Sequence, residues 1–253
     1  MGLLTSLRRR SILRRARLSP RAWEAATDFP LFAGLSDLEH VRLREWVVLF
    51  LHEKQLSPAA DMDLSDARRL VIAAQACLPI LALDLGYYGD FVEVIVYPGD
   101  FIPRREYRDE AGVVHELETP LAGESWTRGP LILSWDAVER SRAGEGSVVI
   151  HEFAHKLDLR NGRIDGVPPL HPGMAIAQWA DAFSHAYEQL NAAISRGETP
   201  AIDPYGAQNP AEFFAVASDA FFSRPQALRA AFPAVYGQLS LFYRQDPARR
   251  RPA

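Results

Sequence analysis

The pentapeptide His151-Glu152-Phe153-Ala154-His155 constrains this chain more than any other stretch. Around it, Ile150, Phe153, Ala154 and Leu157 recur at i, i+3, i+4 and i+7, the spacing of a helix with one face toward a core. Histidines four residues apart project from one side of such a helix, about one turn from each other. Two imidazole nitrogens can then reach a single metal ion. Glu152 is rotated by about 100° from His151, which suits it to address a metal-bound water rather than to bind the metal. The run Ser147-Val148-Val149-Ile150 buries the start of the helix and stiffens the support beneath it. His52-Glu53 is an internal control: it also falls in a helical pattern, but position 56 is leucine, so it reads as a solvated helix face.

A catalytic zinc ion usually takes three protein ligands and keeps one position for water. The offsets at which metzincins carry glycine and a third histidine hold Asp158 and Asn161 here, which excludes that class. A glutamate from a later helix is the other common solution, and Glu212 is the best candidate. It sits in the first turn of AEFFAVASDAFF, with Pro210 at the helix start and Phe213 and Phe214 beside it. If buried, an acid there needs a partner; complementarity to the helix dipole would account for it equally well. Asp165 and His171 are alternative third ligands. Asp158, three residues past His155 on the same side, is a candidate to orient a ligand imidazole from behind, and Asp219, two turns past Glu212, is a weaker one.

The remainder reads as helices, then strands, then helices, which argues an α+β fold. Residues 1–19 form a basic tail expected to be poorly ordered. Residues 20–80 are helical: LSDLEHVRLREWVVLFLHEKQL has Ser36 as N-cap with Glu39 three residues on, and a second helix is expected from Ser65 to Cys77. Residues 81–245 form the metal-bearing core, with strands in FVEVIVYPGDFIP and in VVHELETPLAGESWTRGPLILSW, a helix stop at Gly162 and later helices. Residues 246–253 are a tail.

The formal net charge of −4 gives no whole-protein case for direct nucleic-acid binding. The arginines from Arg8 to Arg17 break any apolar signal region and read as a solvated tail or a contact with anionic lipid or an acidic partner. The opening MGLLTS also fits the loose pattern for myristoylation. No apolar run is long enough for a transmembrane segment. The single cysteine, Cys77, allows no internal disulfide and lies in VIAAQACLPI as a buried structural thiol, which suits a cytoplasmic location and equally a disulfide-free periplasmic protein.

Three blocks, HEFAHKLD with NGRIDGVP, VIVYPGDF with ESWTRGPLILSW, and NPAEFFAVASDAFFSRP, occur in an order that resembles the Mlc titration factor A family of gluzincin-type zinc peptidases, over roughly 20–243. The resemblance implies a zincin-like metalloprotease fold: a helical N-terminal part, a small mixed sheet, the HExxH helix and C-terminal helices. It implies one Zn²⁺ held by His151, His155 and Glu212, with Glu152 as the catalytic carboxylate. It also points to Tyr205, seven residues before Glu212, a spacing similar to that in the anthrax lethal factor catalytic domain, where a tyrosine helps stabilise the reaction centre. The implied activity is that of a peptidase of aminopeptidase type on a peptide substrate. The implied partner is a transcriptional repressor similar to Mlc, whose binding relieves repression of sugar-uptake genes. On the residues alone, the strand 131–135 offers an edge that an extended peptide could join.

Overall fold

Helix signals written into the chain place most of the framework. The structure, a computed structural model, describes residues 3–99, 105–108, 114–117 and 130–250. Helix α1 spans Leu3–Arg15, α2 Pro20–Thr27 and α3 Asp37–Glu53. Helix α3 opens on a complete capping box: the Ser36 hydroxyl accepts from the Glu39 N–H, and the Glu39 carboxylate accepts from the Ser36 N–H at 2.8 Å. Ser65 caps α4, Asp66–Cys77, as its sequence indicates. Cys77 is fully buried, and burial pushes its thiol well above the ordinary range, as expected of an inert structural cysteine.

Three strands form a parallel sheet in the order β1 (Gln55–Pro58), β2 (Glu93–Tyr97), β5 (Leu131–Ser134). Leu56 is level with Val94 and Val94 with Leu131, so these buried residues share one face. An antiparallel pair, β3 (Arg105–Arg108) and β4 (Val114–Leu117), stands apart from it. The expected mixed sheet is therefore corrected: among the described residues the three-stranded sheet is parallel, and β1 lies inside a region read as helical. The parts of the strand motifs at 100–103, 113 and 118–129 lie outside the described residues.

After β5 come α5 (Trp135–Arg140), α6 (Val148–Asp158), α7 (Ile176–Ser195), α8 (Pro210–Ser223), α9 (Pro225–Ala231) and α10 (Pro233–Tyr243). Helix α6 carries the HExxH motif and packs directly on α8. Its stripe, Ile150, Phe153, Ala154 and Leu157, is buried as its period requires. Phe153 sits among Phe50, Tyr88 and Phe91, with ring centroids 4.9–5.8 Å away. Such aromatic contacts add about 0.5–1.5 kcal/mol each beyond area burial, and they anchor α6 to α3 and to the segment that leads into β2. One continuous apolar cluster runs from Ala26 to Ala248.

Both chain ends depart from expectation. Residues 3–15, read as a poorly ordered tail, form helix α1. Arg9 explains the ordering: its guanidinium bonds Asp84 at 3.0 Å and lies over Trp46, while Ile12 and Leu13 pack against the core. At the other end, Pro247 and Ala248 are buried, and the Tyr236 hydroxyl donates to Asp246 at 2.6 Å and accepts from the Ala248 N–H at 2.9 Å.

Candidate metal centre

The HExxH helix begins on a fully satisfied polar anchor. The Ser147 hydroxyl accepts from the Ile150 N–H at 3.1 Å and donates to Gln75 Oε1 at 2.6 Å, and the Gln75 amide donates to Ser141 Oγ at 3.0 Å. The Ser147 N–H donates to Asp219 Oδ1 at 2.7 Å. Gln75 and Asp219 come from α4 and α8, so the start of α6 is pinned from two sides. Gln75 was not singled out from the sequence; its one signal was a polar residue inside VIAAQACLPI.

Helix α8 is set by an Asn209 cap, whose side chain accepts from the Glu212 N–H at 3.0 Å, and by Pro210 in its first turn. Glu212 thereby faces α6. Its Oε2 lies 3.1 Å from His151 Nε2 and 3.3 Å from His155 Nε2, and the two imidazole nitrogens are 3.3 Å apart. Zinc bonds to nitrogen and carboxylate oxygen are about 2.0–2.1 Å, and a tetrahedron of that size has edges of about 3.3–3.4 Å. The three donor atoms thus form nearly one face of a metal-sized tetrahedron, and the donor set fits the ion.

The electrostatics agree. Burial works against ionisation of Glu212, but its bonds to His151 and His155 outweigh burial and hold its carboxyl down to about 2. Burial likewise disfavours the charged His151 ring, yet the Glu212 bond and the charges of Glu152, Glu212 and Asp219 raise it overall. A carboxylate ionised at neutral pH and facing two imidazoles is a ready cation site.

Glu152 is half-buried beside this face. Tyr205 lies on a short 3-10 turn, Pro204–Ala207, with its ring centroid 6.0 Å from that of His151. The turn is tied by the Tyr187 hydroxyl donating to the Ala207 carbonyl at 2.9 Å. Burial and the Glu212 and Glu152 charges raise the Tyr205 phenol, which keeps it a hydrogen-bond donor.

Asp158 is fully buried, but its hydrogen bond goes to the Gly166 N–H at 2.8 Å rather than to His155. Its Oδ1 and His155 Nδ1 both lack a hydrogen-bond partner. Burial raises Asp158 and Asp219 to about 6. The alternative ligands fall away. His171 bonds the Phe242 carbonyl at 2.7 Å and stacks on the Phe242 ring, and Asp165 is exposed, accepting from the Val167 N–H. Among the described residues, His151, His155 and Glu212 are the group of donors that converges on one point.

Two histidines one turn apart on a helix, closed by a glutamate from the first turn of another, make a candidate His/His/Glu centre of the kind metallopeptidases use. The chain belongs to the glucose-regulated metallo-peptidase M90 family, whose sequence model matches residues 4–244. It is 43% identical over 232 residues to Mlc titration factor A of Pectobacterium atrosepticum, covering 90% of this chain and 87% of the relative. It is 40% identical over 239 residues to Mlc titration factor A of Cronobacter sakazakii, covering 93% and 90%. With Mlc titration factor A of Escherichia coli O9:H4 it shares 38% identity over 232 residues, covering 90% and 87%. A metallopeptidase family implies a metal, which agrees with the donor set. No helix among the described residues is long and apolar enough to cross a membrane.

Proposed function

We propose that this chain is a zinc-dependent peptidase of aminopeptidase-like type, with Zn²⁺ held by His151, His155 and Glu212. The observation that carries the reading is the donor triangle of 3.1–3.3 Å. When bound, the ion would polarise a peptide carbonyl and make water a stronger acid. Glu152 takes a proton from the water as its oxygen bonds to the carbonyl carbon. It returns that proton to the nitrogen as the C–N bond breaks, and the second water proton passes from the new carboxylic acid to the amine, so the products are a carboxylate and an ammonium group. The Tyr205 hydroxyl donates to the carbonyl oxygen as negative charge gathers there. Asp219 supports His151 indirectly by holding the N–H of Ser147, the cap of the HExxH helix, and Asp158 supports the centre from the far end of that helix. Strand β5 pairs with β2 at the edge of the three-stranded sheet, where an extended peptide could add.

The test is Glu152→Gln. The variant should keep one zinc per chain and lose hydrolysis of short chromogenic peptides and aminoacyl substrates. Retained turnover would remove the proton-transfer role.

A second reading rests on the relatives' name, Mlc titration factor A: that this cytoplasmic protein sequesters an Mlc-like repressor and that its zinc site is weakly active. If sequestration is separate from hydrolysis, Glu152→Gln should bind such a repressor as wild type does.

A further inference from the structure

Helix α1 displays a concentration of charge for which the metal centre has no use. Six arginines and no acidic residue fall in the first 17 positions, so with a total of −4 the rest of the chain carries −10. One of the six, Arg9, is turned inward to Asp84. The others, Arg8, Arg10, Arg14, Arg15 and Arg17, are exposed, and none is engaged by an acidic side chain among the described residues. At 100° per residue, Arg10 and Arg14 fall on one flank of the outward face of α1 and Arg8 and Arg15 on the other, and Arg17 follows two residues past the helix end. Leu7, 58% exposed, lies between the flanks. The inward face, with Ile12 and Leu13, is already docked on the protein, which holds the charged face outward.

Beside this face runs a furrow between α1 and α3. Its outer part, about 430 Å³, has Ile12, Leu18, Val48 and Leu51 as apolar walls, with Arg15 and Arg17 at the rim. Among the described residues, no acidic side chain lines that part. A second hollow of about 460 Å³, toward β1 and α4, shares Arg17, Leu18 and Leu51 with it as lining residues. Guanidinium groups pair with phosphate oxygens in a planar, bidentate way. Arginines beside apolar walls therefore suit a ligand that is anionic at its head and apolar behind it.

We propose that the outer face of α1 and its furrow bind the surface of an anionic phospholipid bilayer. A bilayer supplies many phosphates in one plane, which matches four guanidinium groups on the two flanks of α1 with Arg17 just past its end, and an apolar layer that Leu7 can enter. Each arginine brought close to such a surface strengthens binding by roughly fivefold. The binding is peripheral and reversible. It does not depend on the metal centre.

Vesicle co-sedimentation of the full chain tests this. The comparison is phosphatidylcholine alone against phosphatidylcholine with about 30% phosphatidylglycerol. The expected result is at least tenfold stronger binding to the anionic vesicles, lost at about 0.5 M NaCl. Arg10→Gln/Arg14→Gln/Arg17→Gln should remove most of the preference for anionic vesicles, leaving the part due to Arg8 and Arg15, with an unchanged melting temperature and zinc content. Leu7→Ser should weaken it while retaining the charge dependence. Equal binding to both vesicles, no binding, or full binding by the triple variant would overturn the proposal. So would displacement by a few millimolar inorganic phosphate at constant ionic strength, which would indicate a free-phosphate site. Binding to polyglutamate without binding to vesicles would assign the face to an acidic protein instead, and would equally overturn it.

Discussion

A Cβ atom placed on Gly166 would lie 2.5 Å from the carbonyl oxygen of Pro210. Gly166 adopts φ +79°, its N–H bonds Asp158, and its carbonyl accepts from Trp179 Nε1 at 3.0 Å. One residue thus joins the end of the HExxH helix, the start of the Glu212 helix and helix α7. Gly166→Ala would face a left-handed conformation costing about 1–2 kcal/mol and a collision that pushes α8 away from α6. We expect lower stability to denaturant and, because Glu212 moves with α8, zinc affinity reduced by about tenfold or more. Competition with a chelator measures the latter. Wild-type affinity in a destabilised variant would show that the glycine serves packing alone.

Glu212→Ala removes the one acidic corner of the donor triangle. With His171 bonded to Phe242 and Asp165 turned to its own loop, no described residue stands ready to replace it. Zinc stoichiometry after dialysis should fall well below one per chain, as measured by atomic absorption. The fold should survive, because Glu212 bonds only the two histidines through its side chain among the interactions described. Full zinc retention would require a different ligand set.

What could be read before any coordinates follows from the range of each interaction. His151, Glu152 and His155 lie within one turn of helix, so local geometry alone places them together. Glu212 comes from 57 residues beyond His155; the residues alone left it level with helix-dipole complementarity, and the family resemblance was needed to favour it. Gly166 gave no signal, because its constraint is a steric contact with Pro210, far along the chain. Strand β1 was missed because four residues, one of them proline, carry too little alternation to stand out beside α3. Helix α1 was missed because its arginines resemble a solvated tail, whereas the contacts that order it reach Trp46 and Asp84.

Tyr205→Phe isolates one hydroxyl. The turn that carries it is held by backbone and Asp203 contacts, with the Tyr205 N–H bonding Asp203 Oδ1 at 2.9 Å, so the ring should stay in place. Zinc content should be unchanged and kcat should fall by about 10²–10³, the scale of one lost oxyanion donor. KM for the same peptide should change little. A wild-type rate would demote the residue to a wall of the site.

Asp219 supplies a pH signature. An ordinary aspartate ionises near pH 3.9, whereas burial holds folded Asp219 near 6, against the opposing bond from the Ser147 N–H and the His151 charge. Its charged form is therefore disfavoured by folding. The cost is absent below about pH 4, grows between about 4 and 6 as the unfolded chain ionises first, and is complete above about 6. Asp219→Asn keeps the acceptor for the Ser147 N–H and deletes the titration. In denaturant melts of metal-free protein, the variant should gain on wild type as pH rises through that interval, then run parallel to it. Taking the difference between the two proteins cancels the groups they share, including Glu212, whose lowered value contributes stability that is lost only as pH falls. Parallel melts throughout would mean that Asp219 ionises as easily in the folded protein as in the open chain, and that its charge at the pinned start of the HExxH helix carries no burial cost.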